Sequence, residues 1–135
     1  VLGDPDDQAG DGEAGAGAVV VPISYEAADG EISYRLTDAG CGHVVTTAAR
    51  KELIEKICRD SSIAPNLVFA GPNAEKAGVS LEGLATGGSA SPSDPDDIDC
   101  PSFIIYTSGT TGRAKGVLLS LRGMLWIAAS CWPLN

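Results

Sequence analysis

From Ala18 onward the chain alternates β-branched apolar runs with amphipathic stretches, and this alternation restricts its possible folds more than any other feature. Residues 18–23 (AVVVPI) form a continuous apolar run suited to a strand buried on both faces. Asp29 is placed to cap a helix reaching residue 39, with Ile32, Leu36 and Ala39 along one side and Gly40 ending it. Residues 43–47 (HVVTT) read as a second strand. Residues 48–59 read as a second helix, whose apolar stripe is Leu53, Ile54, Ile57 and Cys58. On its exposed face, Glu52 with Lys56 and Glu55 with Arg59 are acid-leading pairs four residues apart. Residues 67–70 make a third strand. Strand, helix, strand, helix, strand predicts a parallel sheet with right-handed crossovers. The expected class is α/β, a partial Rossmann-like layered sheet of mostly parallel strands with crossover helices.

Periodicity is lost over residues 71–100, where Gly-Pro, Gly-Gly and the run SASPSDP mark a long connection, with a short turn expected near residues 81–84. Order resumes in two strands, residues 102–106 (SFIIY) and 116–119, followed by a helix start over 122–132 whose apolar face is left without a partner. Residues 116–134 are apolar enough to suggest a membrane span, but Arg122 and Gly123 lie inside them, and no span is expected. Residues 1–17 hold almost nothing to bury and read as a mobile acidic arm. The expected organisation is therefore an arm (1–17) and one partial domain (18–135). That domain divides into a βαβαβ unit (18–70), a linker (71–100), and a strand pair with its loop and the helix start (101–135).

Charge narrows the function. The 135 residues carry 18 acidic and 9 basic side chains, a net of -9, which disfavours nucleic acid as a partner. Beyond Cys100 the balance inverts, because Arg113, Lys115 and Arg122 occur there without any acid. Uncompensated positive charge is thus gathered around one short loop, where an anionic ligand is expected. Cys41, Cys58, Cys100 and Cys131 include no CxxC pair, and His43 is the single histidine. These spacings exclude a zinc ribbon and speak against a disulfide scaffold. With an acidic start in place of a signal segment, a reduced cytoplasmic setting is expected.

Weaker motifs do not survive inspection. Asp4, Asp6, Asp7 and Asp11 are out of register for a calcium loop, and Gly12, Gly15 and Gly17 precede a strand where a dinucleotide fingerprint would follow one. Asp94, Asp96, Asp97 and Asp99 sit among prolines and read as a solvated linker, not a metal cluster. His43 opens a strand with no matching ligand residue and reads as a sheet-edge residue.

The loop Thr107-Ser108-Gly109-Thr110-Thr111-Gly112-Arg113-Ala114-Lys115 directly follows an apolar strand. Its hydroxyls, two glycines and two cations are what a polyphosphate site needs. Gly109 and Gly112 allow backbone N–H groups to turn inward around phosphate oxygens. Thr107, Ser108, Thr110 and Thr111 can donate to those oxygens or reach a bound Mg²⁺. Lys115 supplies a compact mobile charge, and Arg113 either adds a second or points to solvent. A Walker loop fails here, because Ala114 precedes the lysine, Gly116 follows it, and a strand comes next. A serine nucleophile with a lysine three residues on also fails, since Gly112 stands there.

The segment from Ile104 to Val117 (IIYTSGTTGRAKGV) resembles the signature loop of the AMP-forming adenylate-forming superfamily, which includes acyl-CoA synthetases, aryl-CoA ligases, luciferases and peptide-synthetase adenylation domains. The Asp-Pro-Asp-Asp-Ile lead-in at residues 94–98, the VVVPI run at 19–23 and EISYRLTDAG at 31–40 are similar to further family elements. Three departures stand out: Ala114 replaces a common proline, Leu121 a frequent histidine, and residues 1–15 an apolar helical lead. The resemblance implies a piece of a larger N-terminal domain, because the family's adenine-pocket, ribose-binding and C-terminal elements do not occur before Asn135. It implies two-step chemistry. A carboxylic acid attacks the α-phosphate of ATP with Mg²⁺, and coenzyme A then takes the acyl group. Thr107, Ser108, Gly109, Thr110, Thr111 and Gly112 would grip the β- and γ-phosphates, and Lys115, the implied catalytic residue, would neutralise the departing pyrophosphate. The isolated piece is expected to be inactive, and the runner-up reading is a truncated, non-catalytic nucleotide-binding or interaction module. The acyl substrate is not identified, although aliphatic acids are the general lean of the match. A carrier-protein thiol in place of coenzyme A stays open, and the oligomeric state is not legible.

Overall fold

The computed structural model describes residues 2–3, 18–87, 97–108 and 113–131. They form β1 (Leu2–Gly3), β2 (Val19–Val20), α1 (Asp29–Asp38), β3 (His43–Thr47), a 3-10 turn at Ala48–Arg50 and α2 (Lys51–Asp60). β4 (Asn66–Ala70), α3 (Ala74–Ala77), β5 (Val79–Ser80), α4 (Leu81–Gly87), β6 (Pro101–Thr107), β7 (Lys115–Ser120) and α5 (Leu121–Cys131) follow. The strands make one sheet in the order β5-β4-β3-β1-β2-β6-β7. The α/β class stands, with β3, β4 and β5 parallel and β2 parallel to β6.

Two departures from the expected sheet have clear causes. The first strand is two residues long where six were expected, because Pro22 has no N–H to continue a ladder. Val21 still ends fully buried, and the Pro22 carbonyl accepts from Arg35 Nη1 at 3.4 Å. The second departure is topological. β2 does not pair with β3, because β1 lies between them, antiparallel to both. Strand pairing here uses backbone groups, which composition does not report, so Leu2–Gly3 look in the sequence like part of an arm. Residues 4–17 lie outside the described residues. The longest parallel crossover unit among the described residues is β3-α2-β4, held over five paired positions from His43↔Asn66 to Thr47↔Ala70, and α3 joins β4 to the parallel β5 beyond it.

One core unites α1 and α2 with the sheet: Val21, Ala27, Ile32, Leu36, Cys41, Val44, Ile54, Ile57 and Cys58. Leu36 is 1% exposed, and burial of such a side chain is worth about 1.5–3 kcal/mol. Helix α1 starts one residue earlier than the capping reading required. Ala28 is its N-cap, and Asp29 and Glu31 instead occupy the first turn, where negative charge suits the helix dipole. Its end is as expected. Gly40 takes φ 59°, the Cys41 N–H bonds to the Leu36 carbonyl at 3.0 Å and the Gly40 N–H to that of Thr37 at 3.3 Å, closing the helix with a glycine turn.

On α2, the ion pair present is Lys51–Glu55 at 3.9 Å; the two acid-leading pairs are not among those that the described residues form. Glu55 thus turns back one helical turn to Lys51, whose ammonium also donates to the Ala77 carbonyl at 2.6 Å. His43 is exposed at the start of β3, but β3 is an interior strand, so the histidine is not at the sheet edge. Its Nε2 meets Asn66 Nδ2 at 3.3 Å.

The long connection, where only a short turn near residues 81–84 is expected, holds α3, β5 and α4, the last beginning at Leu81, before it leaves the described residues at 88–96. Ser80, buried at the end of β5, accepts the Gly83 N–H at 3.0 Å and opens α4 as a cap does. The Gly71 N–H donates to Glu82 at 3.0 Å and holds that carboxyl below its ordinary range. Of the aspartates near residue 97, Asp94 and Asp96 lie outside the described residues. Asp99 pairs with Arg122 through Nε at 2.5 Å and Nη2 at 3.0 Å, which lowers its pKa and ties the start of β6 to that of α5. No group of three metal-ligating side chains occurs among the described residues. No described helix is long and apolar enough to cross a membrane.

Burial raises the thiol pKa of both Cys41 and Cys58, whereas Cys131 is exposed and Cys100 half-buried. Since the thiolate is the reactive form, a disulfide reagent at pH 8 should label Cys131 first and reach Cys41 and Cys58 only on denaturation. Rapid labelling of all four in the folded chain would contradict this core.

Candidate functional site

β6 and β7 run antiparallel and in register from Ile104↔Leu118 to Thr107↔Lys115, so the loop between them is anchored at both ends by one ladder. Thr107 and Lys115 are direct partners. Such partners share a face with their Cβ atoms about 4.5–5.5 Å apart. The side chains that open and close the loop thereby leave the backbone from neighbouring points on one face. Thr107, Ser108 and Lys115 are all exposed. Of the other sequence-predicted residues, Gly109, Thr110, Thr111 and Gly112 lie outside the described residues. The sequence offered two roles for Arg113; its guanidinium lies over the Tyr34 ring, 5.4 Å from the centroid.

Strand alternation sends Tyr106 to the opposite face from Thr107, toward α1. Ile104 and Tyr106 both pack against the core. The Tyr106 hydroxyl donates to Asp38 Oδ2 at 2.6 Å, its ring meets Tyr34 edge-on at 5.9 Å and 75°, and the Arg35 guanidinium lies 5.3 Å from its centroid. Partial burial, followed by the Asp38 carboxylate, pushes the phenol pKa well above its ordinary value, so Tyr106 stays a neutral donor. Tyr34 donates to the Ala114 carbonyl at 2.9 Å. Both limbs of the loop are therefore tied to α1. Periodicity had placed Leu36 but assigned no task to Tyr34, Arg35 or Asp38. Their contacts span 68 to 80 residues of sequence, and no local pattern encodes such a separation.

Gly116 sits opposite Tyr106, and a Cβ there would lie 2.8 Å from Ile104 Cγ2 and 3.3 Å from Tyr106 Cζ. The missing side chain is what lets the aromatic ring lie across the hairpin. Ile104 is branched at Cβ and cannot swing clear cheaply. Gly116→Ala should therefore lower stability by about 1–3 kcal/mol, the cost of overpacking. Denaturant titration checks this, and an unchanged midpoint would contradict the packing.

A family model described as AMP-binding enzyme matches residues 12–135. A sulfoacetate–CoA ligase of Cupriavidus necator is 33% identical over 115 residues, 84% of this chain and 22% of that enzyme. A long-chain-fatty-acid–CoA ligase of Mycobacterium tuberculosis is 36% identical over 125 residues, 90% of this chain and 23% of the ligase. Among solved structures, ATP-bound MatB from Rhodopseudomonas palustris superposes with a TM-score of 0.65 at 28% identity, covering 87% of this chain and 22% of that one. The chain thus spans between a fifth and a quarter of the length of these relatives. The signature between β6 and β7, the α/β fold that carries it and the family match from residue 12 agree: this chain belongs to the AMP-binding enzyme family.

Proposed function

We propose that this chain is the polyphosphate-gripping segment of an ATP-dependent, AMP-forming carboxylate–CoA ligase, inactive as an isolated piece. The pairing of Thr107 with Lys115 at the mouth of the loop carries the reading. It sets a hydroxyl donor and a compact cation together on an exposed strand end, in an acidic chain that keeps every carboxylate out of residues 101–135. An ATP-bound relative of the same fold and several CoA-ligase relatives support ATP and a carboxylic acid as substrates, with coenzyme A as the acceptor.

Adenylation needs no protein nucleophile. The substrate carboxylate attacks the α-phosphate, and pyrophosphate leaves with the charge that the bond to it releases. The protein's task is to hold the triphosphate in line and to neutralise that charge with donors already in place. Thr107, Ser108, Gly109, Thr110, Thr111 and Gly112 would hold the β- and γ-phosphates, and Lys115 would face the leaving pyrophosphate. The described residues fit this demand, since Thr107, Ser108 and Lys115 are exposed and no described carboxylate competes within the loop. Mg²⁺, carried in on the triphosphate, would add charge neutralisation there, with the hydroxyls of Thr107 and Ser108 as the described groups able to hold it.

The test is ATP–pyrophosphate exchange in the enzyme that contains this segment, across a panel of aliphatic and aromatic acids. Lys115→Ala should slow exchange by about 10- to 100-fold, the worth of one charge-assisted contact. Unchanged exchange would remove Lys115 from the reaction.

A second reading, a non-catalytic nucleotide-binding or interaction module, draws on α5, where Trp126 is 75% exposed beside exposed Leu125 and Ile127. An apolar face of this kind marks an interaction surface. If the module acts alone, light scattering should show the mass of the 135-residue chain rising with concentration; a monomer with a cooperative melt would count against it.

A further inference from the structure

We infer that Tyr34 is a positioning residue for the phosphate loop, acting from α1 on the limb that delivers Lys115; what the loop grips rests on the function proposed above, but the placement does not. Two independent contacts from one side chain converge on consecutive loop residues. The hydroxyl donates to the carbonyl of Ala114, the residue before Lys115, at 2.9 Å. The ring face receives the guanidinium of Arg113, 5.4 Å from the centroid. The first contact fixes the peptide plane from which Lys115 departs. The second draws the Arg113 side chain onto α1, which leaves Lys115 as the mobile cation of this limb.

Tyr34 can do this because it is itself held. Its ring packs edge-on against Tyr106, which stands one residue before the end of the other limb and donates to Asp38. Its helix is clamped to the core through Ile32 and Leu36, both buried. The outcome is a brace across the hairpin: α1 grips β6 through Tyr106 and, through Ala114, the residue that leads into β7. A phenylalanine at 34 would keep the ring contacts and lose the donor. A leucine would lose both. The two contacts are therefore separable by substitution.

The test uses the 135-residue chain as wild type, Tyr34→Phe and Tyr34→Leu, followed by nuclear magnetic resonance and titrated with inorganic tripolyphosphate. In wild type and Tyr34→Phe the ring current should shift the Arg113 side-chain protons upfield, and Tyr34→Leu should abolish that shift. Both variants should move the Lys115 amide nitrogen, which reports on the Ala114 carbonyl. Amide exchange at Leu36 and Val44 should stay at wild-type protection, since no core contact is removed. Tripolyphosphate affinity should fall about 2- to 10-fold in Tyr34→Phe, the scale of one hydrogen bond, and further in Tyr34→Leu. If wild type binds tripolyphosphate and Tyr34→Phe binds it equally well, the positioning role is overturned while the phosphate reading stands. If wild type does not bind it, the phosphate reading fails, and the Arg113 and Lys115 signals alone decide the brace. Unmoved signals in both variants overturn it in either case.

Discussion

The antiparallel register of β6 and β7 is the constraint on which the rest of this structure depends. A loop that begins and ends on paired positions has its two ends fixed by backbone hydrogen bonds before any side chain acts. The pairing of Thr107 with Lys115 thus comes from the ladder, while the pairing of Tyr106 with Gly116 one step inward frees the opposite face for an aromatic ring. Alternation along two strands then separates two tasks. One face carries the exposed hydroxyl and ammonium, and the other carries the ring that binds the hairpin to α1.

That attachment explains why the first half of the chain bears on the second. Helix α1 buries Ile32 and Leu36 in the common core and turns Tyr34, Arg35 and Asp38 toward the hairpin. An edge-to-face aromatic pair is worth about 0.5–1.5 kcal/mol, and a hydrogen bond to a carboxylate about 1.5–3 kcal/mol. Neither contribution is large against the core, but both are directional. The core makes the domain stable, and the tyrosines and Asp38 decide where the hairpin lies on it.

Sequence made the periodic parts of this fold legible. Residues 43–47 form the strand that the sequence predicts, because a β-branched run bounded by glycine and a helix signal has few alternatives. Gly40 as a helix stop was equally readable. What escaped was of two kinds. Short elements such as β5 and α3 are below the length at which any period can be detected, though Ser80 before Leu81 was a capping signal open to notice. Non-local pairings, such as β1 between β2 and β3, leave no trace in local composition. The site divided in the same way. Its proposed phosphate-binding residues are legible because glycines, hydroxyls and cations crowd into nine positions, while Tyr34 and Asp38 of α1, which bond to Ala114 and Tyr106, are not, since those contacts exist only after folding.

Phosphorus resonance of MgATP titrated with this chain tests the central claim most directly, because each phosphate reports separately. If the loop grips the β- and γ-phosphates, those two signals should shift and broaden first, with the α-phosphate following weakly, and Lys115→Ala should blunt the response. Shifts confined to the α-phosphate, or β and γ signals that respond equally with alanine at 115, would contradict the account.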